Sequence, residues 1–315
     1  MPYFLGIDTS NYTTSVAFYD GVTGENYGQL LPVPNNTLGL RQSDALFFHV
    51  KQFPALFDTL FQTVDFTSVA AVGASTRPRA VEGSYMPCFL AGESIGHVLA
   101  SALGVPFYSV SHQQGHIAAA AWSADCLKLL DQPHLAWHLS GGTTELLHVI
   151  PDGPFPHAEK IGGTDDLSAG QLIDRIGVYL GAVFPAGKTM DAWSLEASGT
   201  EEIKPFPVKV KNSVFSLSGM ENKGKALVDA GKTPQTVARF ILDTIGAAVL
   251  CATEQALLQY PGLPVLFAGG VSASKRLRQI LMLPHVQVQF AGPAYGTDNA
   301  MGVAILACRA HKKGD

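Results

Sequence analysis

Two stretches of this chain, about 130 residues apart, follow one plan, and a spacing of that size implies duplicated domains rather than a solenoid array. Leu5-Gly6-Ile7-Asp8 leads through Thr9-Ser10-Asn11-Tyr12-Thr13-Thr14 into Ser15-Val16-Ala17-Phe18-Tyr19 and the turn Asp20-Gly21. Leu135-Ala136-Trp137-His138-Leu139 leads through Ser140-Gly141-Gly142-Thr143-Thr144 into Glu145-Leu146-Leu147-His148-Val149-Ile150, with Asp152-Gly153 after Pro151. Each copy reads as strand, hydroxyl-rich or glycine-rich turn, strand, Asp-Gly. Turns of this kind gather backbone N–H groups and hydroxyls that cradle phosphate oxygens, although either one alone reads equally as a plain hairpin turn. Two in matching positions point to a nucleotide held between two related lobes.

The rest of the chain alternates between the two periodicities. Ser43–Phe61 carries Leu46, Val50, Phe53, Phe57 and Leu60 at helical spacing, and Val69–Ala74 is a buried-strand run. Cys88–Leu103, Ser168–Leu180 and Thr236–Tyr260 read as helices, Pro264–Ala268 as a strand, and a helix follows Gly269-Gly270 from about Ala273. The Pro and Val alternation of Lys204–Ser218 reads as a hairpin insertion. Strands alternating with helices define an α/β class.

The strand-like run Val105–Val110 ends at Ser111-His112-Gln113-Gln114-Gly115-His116, and Ile117–Trp122 continues as a helix. Ser111 suits an N-cap. Histidines four residues apart project from one helical face, and two neutral imidazoles so placed bind a divalent metal such as zinc or iron. Solvated surface histidines are the competing reading. A third, oxygen ligand is available at Asp298 in Thr297-Asp298-Asn299-Ala300-Met301, which opens the last helix, where a carboxylate also serves as a capping charge.

With 315 residues, 47% hydrophobic and 15% charged, the chain buries a sizeable core. The net charge of −5 and the lack of a basic stretch advertise no broad nucleic-acid face. Cys88, Cys126, Cys251 and Cys308 lack metal spacing and read as reduced residues of a cytoplasmic protein. The N-terminus has no secretory pattern, and no uninterrupted apolar run reads as membrane-spanning.

The ordered motifs resemble the TsaD family, once called glycoproteases, over nearly the full length. The segments carrying the resemblance are Leu5–Ser10, His112–His116, Leu139–Thr144, Asp174 with Pro185–Asp191, Phe215–Gly219, Ala268–Ala273 and Thr297–Ala300. The resemblance implies the actin/Hsp70/sugar-kinase architecture: two duplicated ribonuclease-H-like lobes, 1–125 and 126–315, around a nucleotide cleft, with the last helix, 297–311, packing back on the first lobe. It implies transfer of a threonylcarbamoyl group from threonylcarbamoyl-adenylate to the tRNA adenosine beside the anticodon, with release of AMP. By the same resemblance His112, His116 and Asp298 hold one iron or zinc ion, and Ser140, Gly141 and Gly142 approach the phosphate or carbamoyl group. Asp8, Ser140 and Thr143 are the catalytic candidates, and Asp174, Gly187, Asp191, Gly269, Gly270 and Ser274 line the site for an adenine nucleotide, ATP or the adenylate. Implied partners are tRNA, a related paralogous subunit and an ATPase subunit.

Four departures from the family pattern stand out. The acidic pair of the first turn, in a Ser-Cys-Asp-Glu-Thr context, is here Tyr12 and Thr13, with Asn11 for the cysteine, and Asp8 stands at the Glu-Thr-Ser position. Thr143 replaces the His or Asn of Ser-Gly-Gly-His/Asn-Thr, and Ser274 replaces an asparagine after Gly-Gly-Val. The Gly-Pro-Gly stretch is here Ser75–Gly83, where Arg77 and Arg79 either grip a carboxylate or phosphate bidentately or belong to a solvated loop. Three readings compete: the tRNA transferase; a divergent paralogue acting as a carbamoyl-type transferase or nucleotide hydrolase on another acceptor; and a nucleotide-binding partner subunit. A His-Glu-x-x-His peptidase is disfavoured because Gln113 stands at the glutamate position. Sugar kinases do not need the histidine pair.

Overall fold

The computed structural model describes residues 1–10, 12–32, 40–197 and 204–314. In chain order it contains β1 (Tyr3–Asp8), β2 (Thr13–Tyr19), β3 (Gly24–Leu30), α1 (Gln42–Thr63), β4 (Val69–Arg77), α2 (Phe89–Leu103), β5 (Phe107–Ser111) and α3 (His112–Ser123). There follow β6 (His134–Leu139), β7 (Thr144–Asp152), β8 (Phe155–Thr164), α4 (Ala169–Tyr179), α5 (Gly187–Glu196), β9 (Val214–Phe215), α6 (Ser218–Asp229) and α7 (Pro234–Gln259). The chain ends with β10 (Val265–Ala268), α8 (Lys275–Ile280), β11 (Val288–Phe290) and α9 (Met301–Gly314). It divides into two units, one of residues 1–132, 150–158 and 298–315, the other of 133–149 and 159–297.

The sequence repeat is a repeat of topology. The first sheet runs β3-β2-β1-β4-β5, and the second runs β11-β10-β6-β7-β8-β9. Read backwards from β8, the second repeats the order of the first and adds β9 at its edge. β1 pairs antiparallel with β2 and parallel with β4, as β6 does with β7 and β10. The inner strands are buried on both faces, which is why Phe4, Leu5 and Ile7, like Leu135, Ala136 and Trp137, form continuous apolar runs.

In the first unit α9 lies directly on the sheet and on α3. A Cβ on Gly6 of β1 would sit 2.3 Å from the Ala300 carbonyl oxygen, and one on Gly302 of α9 would sit 1.8 Å from the Gly115 carbonyl oxygen. Glycine is the side chain that allows both approaches. α9 starts at Met301, not at Thr297: the Ala300 N–H donates to Asn26 Oδ1 of β3 (2.8 Å) and Asn299 Oδ1 accepts from the Met301 N–H (3.1 Å).

One further sequence expectation is corrected. Lys204–Ser218 is not a hairpin: one bridge joins Lys211 and Val214, and β9 pairs parallel with β8. Pro205 and Pro207 have no N–H to give a ladder. α7, at 26 residues, is long and apolar enough to cross a bilayer by length and composition, although Arg239, Asp243 and Glu254 interrupt its apolar run. It is instead mostly buried as the central helix of the second unit, where its Thr253 Oγ1 accepts from the Trp137 indole N–H of β6 at 2.9 Å. The four cysteines are free.

His49 of α1 is buried in the first unit within a directional chain. Gln52 donates through Nε2 to the Leu30 carbonyl (2.9 Å), which fixes its amide, and Gln52 Oε1 accepts from the Thr14 hydroxyl (2.5 Å). The Thr14 oxygen is left to accept from His49 Nδ1 (2.8 Å). The ring is thus the neutral Nδ1–H tautomer, and its buried Nε2 has no partner among the described residues. Burial, only partly opposed by the Asp8 charge, pushes the imidazole down to about 4.

Two outcomes are expected. Gly302→Ala forces α9 off α3 and lowers the unfolding free energy by about 3 kcal/mol or more, measured by urea titration. The unfolded chain protonates His49 near pH 6.5 and the folded one only near 4, so His49 costs stability as pH falls between those values. Between pH 7 and pH 5 the wild type loses about 2 kcal/mol more than His49→Gln in paired urea titrations.

Candidate functional site

The two histidines sit where β5 passes into α3, and a capping box fixes the helix start. Ser111 Oγ accepts from the Gln114 N–H (3.2 Å), and Gln114 Oε1 accepts from the Ser111 N–H (2.8 Å). Gln114 Nε2 also donates to the Pro156 carbonyl (2.9 Å), which ties α3 to the start of β8. His112 is therefore the first helical residue and His116 lies one turn on. Their Nε2 atoms are 2.9 Å apart, and Asp298 Oδ1 lies 3.5 Å and 3.4 Å from them.

Behind His112 lies the fully buried Asp8, at the C-terminal end of β1. Its Oδ1 is 3.0 Å from His112 Nδ1 and also accepts from the Ser75 hydroxyl of β4. Its Oδ2 accepts from the Ser10 hydroxyl (2.5 Å) and the Ser10 N–H (3.3 Å). A carboxylate so engaged holds the imidazole with Nε2 facing outward, the arrangement that orients metal-bound histidines. The expectation of Asp8 as a catalytic group meets a residue with both oxygens already committed.

The donor set fits a divalent ion. A tetrahedral site with bonds of about 2.0–2.1 Å separates its ligand atoms by about 3.3 Å, and two imidazole nitrogens with one carboxylate oxygen suit zinc or iron. His112, His116 and Asp298 meet that spacing. Charge points the same way. Burial works to lower the His112 pKa, yet the Asp8 and Asp298 carboxylates carry it up to about 10. Burial likewise opposes ionisation of Asp298, and the two histidines hold its carboxyl far below the usual range. The centre draws positive charge to the point where the three donor atoms converge.

Arg77 ends β4 and pairs in register with Ser111. The next residue, Pro78, accepts through its carbonyl from the Gln113 N–H (3.0 Å), and the Arg79 N–H donates to Ser84 Oγ (3.0 Å). The arginine loop is thus fastened to the first turn of the histidine helix, with Arg77 half-buried and Arg79 exposed. Tyr12 and Thr13 bring no carboxylate to the first turn, and Asn11 lies outside the described residues.

In the second unit Ser140–Thr143 link β6 to β7. The Ser140 N–H donates to the Thr143 carbonyl (2.9 Å), and Ser140 Oγ accepts from the N–H groups of Gly142 (3.3 Å) and Thr143 (3.1 Å). The N-terminus of α4 presses on the loop: Ser168 Oγ donates to the Gly141 carbonyl (2.8 Å), and a Cβ on Gly170 would lie 2.5 Å from the Ser140 carbonyl oxygen. A Cβ on Gly141 or Gly142 would meet nothing within 4 Å, so the outer face of the loop is uncovered backbone. His138, which sequence reasoning passed over as a strand residue, reaches Thr143 Oγ1 through Nδ1 at 3.3 Å.

The nucleotide candidates divide into two kinds. Asp191 Oδ1 accepts from the Ser274 hydroxyl (2.5 Å) and the Arg276 N–H (3.1 Å), and its Oδ2 accepts from the Lys275 N–H (3.0 Å). Ser274 in turn caps α8 through the Leu277 N–H (3.1 Å). The structure brings these two together as a clip between α5 and α8. Gly269, at φ +92°, would place a Cβ 2.2 Å from the Leu139 carbonyl oxygen, so packing against β6 already demands glycine there. Asp174, by contrast, makes one such bond among the described residues, accepting from the Ala186 N–H (2.7 Å), and burial raises its carboxyl despite that donor. Gly187 and Gly270 face open space.

Comparison with solved structures shows the actin/Hsp70/sugar-kinase fold. A HypF from T. kodakarensis aligns at a TM-score of 0.63 and 12% identity over 99% of this chain and 48% of its own length. The activator of 2-hydroxyisocaproyl-CoA dehydratase from Clostridium difficile, with bound ADPNP, aligns at 0.56 and 9% over 99% and 96%. The family model described as tRNA N6-adenosine threonylcarbamoyltransferase, TsaD, matches residues 43–305. A protein of that name from Thermus thermophilus is 32% identical over 71% of this chain and 67% of its own length, and one from Pyrobaculum calidifontis is 28% identical over 98% and 88%. The chain belongs to the TsaD family, a family of transferases.

His112→Ala is expected to abolish stoichiometric zinc or iron binding in metal analysis, and metal content equal to wild type would remove the site. Asp8→Asn keeps the three donors but loses the orienting carboxylate, and metal affinity is expected to fall about 10–100-fold in chelator competition.

Proposed function

We propose that the chain transfers a threonylcarbamoyl group from threonylcarbamoyl-adenylate to N6 of the tRNA adenosine beside the anticodon, in the cytoplasm, with AMP as the leaving group. The single observation that carries this is the convergence of His112, His116 and Asp298 in a chain of the TsaD family. In the reaction the N6 amine attacks the carbamoyl carbon and a C–N bond forms. The bond from that carbon to the phosphate oxygen breaks, AMP leaves with the electron pair, and N6 gives up one proton to water.

His112, His116 and Asp298 hold the divalent ion, iron or zinc, which when bound supplies a Lewis acid for a carbamoyl or phosphate oxygen. Asp8 keeps His112 in its donor tautomer rather than exchanging protons with substrate. The uncovered backbone at Gly141 and Gly142 lets an oxyanion approach main-chain N–H groups, which is the use of glycine in such loops. Asp174 has an oxygen to spare for the ribose hydroxyls. Gly187 and Gly270 leave the approach of the nucleotide open, while Asp191 and Ser274 act through the α5–α8 clip. Arg77 and Arg79, fastened beside the histidine helix, suit the carboxylate of the threonyl group or a phosphate. Ser140 and Thr143 position the loop. A related paralogous subunit and an ATPase subunit are the expected partners.

One observation favours a second reading. Tyr12 and Thr13 leave the first turn without the acidic pair of the family, and the chain has a net charge of −5, so an acceptor other than tRNA is the alternative. The two separate in one experiment. Metal-loaded protein is supplied with threonylcarbamoyl-adenylate, unmodified tRNA and the partner subunits, and digested nucleosides are read by mass spectrometry. Threonylcarbamoyladenosine is expected, with the rate down at least about 100-fold in His116→Ala. Absence of product from protein that binds both metal and nucleotide would defeat the tRNA reading.

A further inference from the structure

A chain of three side chains runs from β6 into the glycine loop. His138 Nδ1 lies 3.3 Å from Thr143 Oγ1, and Thr143 Oγ1 lies 3.0 Å from Ser140 Oγ. The Ser140 oxygen also receives the Gly142 and Thr143 N–H groups, so it is the node on which the loop's shape depends. Opposite His138 in the β6–β7 register is the buried Glu145. Directly opposed residues share one face of a sheet, so an imidazole and a carboxylate occupy the face from which the loop springs.

Hydroxyl groups pass hydrogen-bond direction along such a chain, because each has one hydrogen and can both donate and accept. When His138 Nδ1 accepts, the Thr143 hydrogen points to the ring and the Ser140 hydrogen points to Thr143. Both are then spent inside the loop. When Nδ1 carries a hydrogen it donates to Thr143, and one hydroxyl hydrogen of the loop is released from this chain; the Thr143 carbonyl, 3.5 Å from Ser140 Oγ, is a weak competitor for it, and a closer acceptor outside the loop takes it. That outside is the uncovered face of Gly141 and Gly142. An anionic oxygen gains from a donor there, and hydrogen bonds with an ionised partner are the stronger kind.

We propose that His138 is a positioning residue of the glycine loop, which acts through Thr143 to direct a loop hydroxyl hydrogen toward a phosphate oxygen of the bound nucleotide. The proposal rests on the reading of Ser140–Thr143 as a phosphate holder. It also accounts for Thr143 at the position where the family has His or Asn: the imidazole reaches the loop from the strand instead, with the threonine hydroxyl as the link. No bond is made or broken by His138, and the group recognised is a phosphomonoester or phosphoanhydride oxygen.

The test compares AMP with adenosine as ligands of the full-length, metal-loaded protein, by calorimetry. The wild type is expected to bind AMP more tightly than adenosine. His138→Ala is expected to lower AMP affinity about tenfold and leave adenosine affinity unchanged. Thr143→Val severs the link in the exposed loop, with little risk to the fold, and is expected to cause the same loss. The double variant is expected to lose no more than either single one, and His138→Asn, which keeps a polar atom near Nδ1, to recover part of the affinity. A fall in AMP and adenosine affinity together would make His138 merely structural and overturn the proposal, as would additive losses in the double variant. AMP preferred by the wild type and unchanged in both single variants would overturn the proposal alone. A wild type that does not distinguish AMP from adenosine would remove the phosphate role of the loop and the proposal with it.

Discussion

A carboxylate taken fully out of water has to be matched by donors, or it will not remain charged. Asp8 is such a group, at the end of the central strand β1, and the first unit is organised around its needs. Ser10 answers from the following turn, Ser75 from the neighbouring parallel strand and His112 from the helix after β5. Three separate stretches of chain therefore converge on one side chain, in an order set by the sheet, β1-β4-β5. The convergence leaves His112 with one nitrogen occupied and the other turned outward beside His116 and Asp298. The candidate metal site is in this sense a consequence of burying one acid at a strand end, where an α/β sheet places its ligands.

The closeness of α9 is the second requirement. Asp298 reaches the histidines because Asn26 and Asn299 fix the start of the helix just after it, and because Gly6 and Gly302 let the helix lie against β1 and α3. A methyl group at either glycine would fall within 2.3 Å of a carbonyl oxygen. Packing density at a backbone contact and placement of the Asp298 carboxylate are here one constraint, since the helix that brings this third donor cannot move away without removing it.

The duplicated strand pairs, the α/β class and the histidine pair were legible because each rests on a local pattern: alternation, a turn composition, a four-residue spacing. Cys88–Leu103 differs from α2 by its N-cap alone. What was not legible depends on partners far apart in the chain. Nothing local marks Asp8 as held from Ser75, 67 residues away, or Asp191 as the cap of a helix 83 residues on. Both look like carboxylates ready for chemistry until the donors around them are placed. Lys204–Ser218 misled for the opposite reason: its alternation is real, but the prolines remove the N–H groups that alternation needs to become a hairpin. α7 escaped notice as a bilayer-length segment because its charged residues interrupt the apolar run, while in the fold it is the buried axis of the second unit.

The departures from the family pattern read differently once their surroundings are known. Thr143 and Ser274 replace larger amide or imidazole groups, and in both places a neighbour takes up the lost hydrogen-bonding capacity: His138 reaches Thr143, and Asp191 accepts from Ser274. These are compensated changes, which leave a loop and a helix start intact. Tyr12 and Thr13 are of another kind. Their backbone is used, with the Tyr12 carbonyl accepting from the Leu31 N–H, but neither side chain supplies a carboxylate. Asp8 does not stand in for the missing pair, because both of its oxygens are engaged. The departures therefore leave the Ser140–Thr143 loop and the start of α8 held together and change the side chains of the first turn.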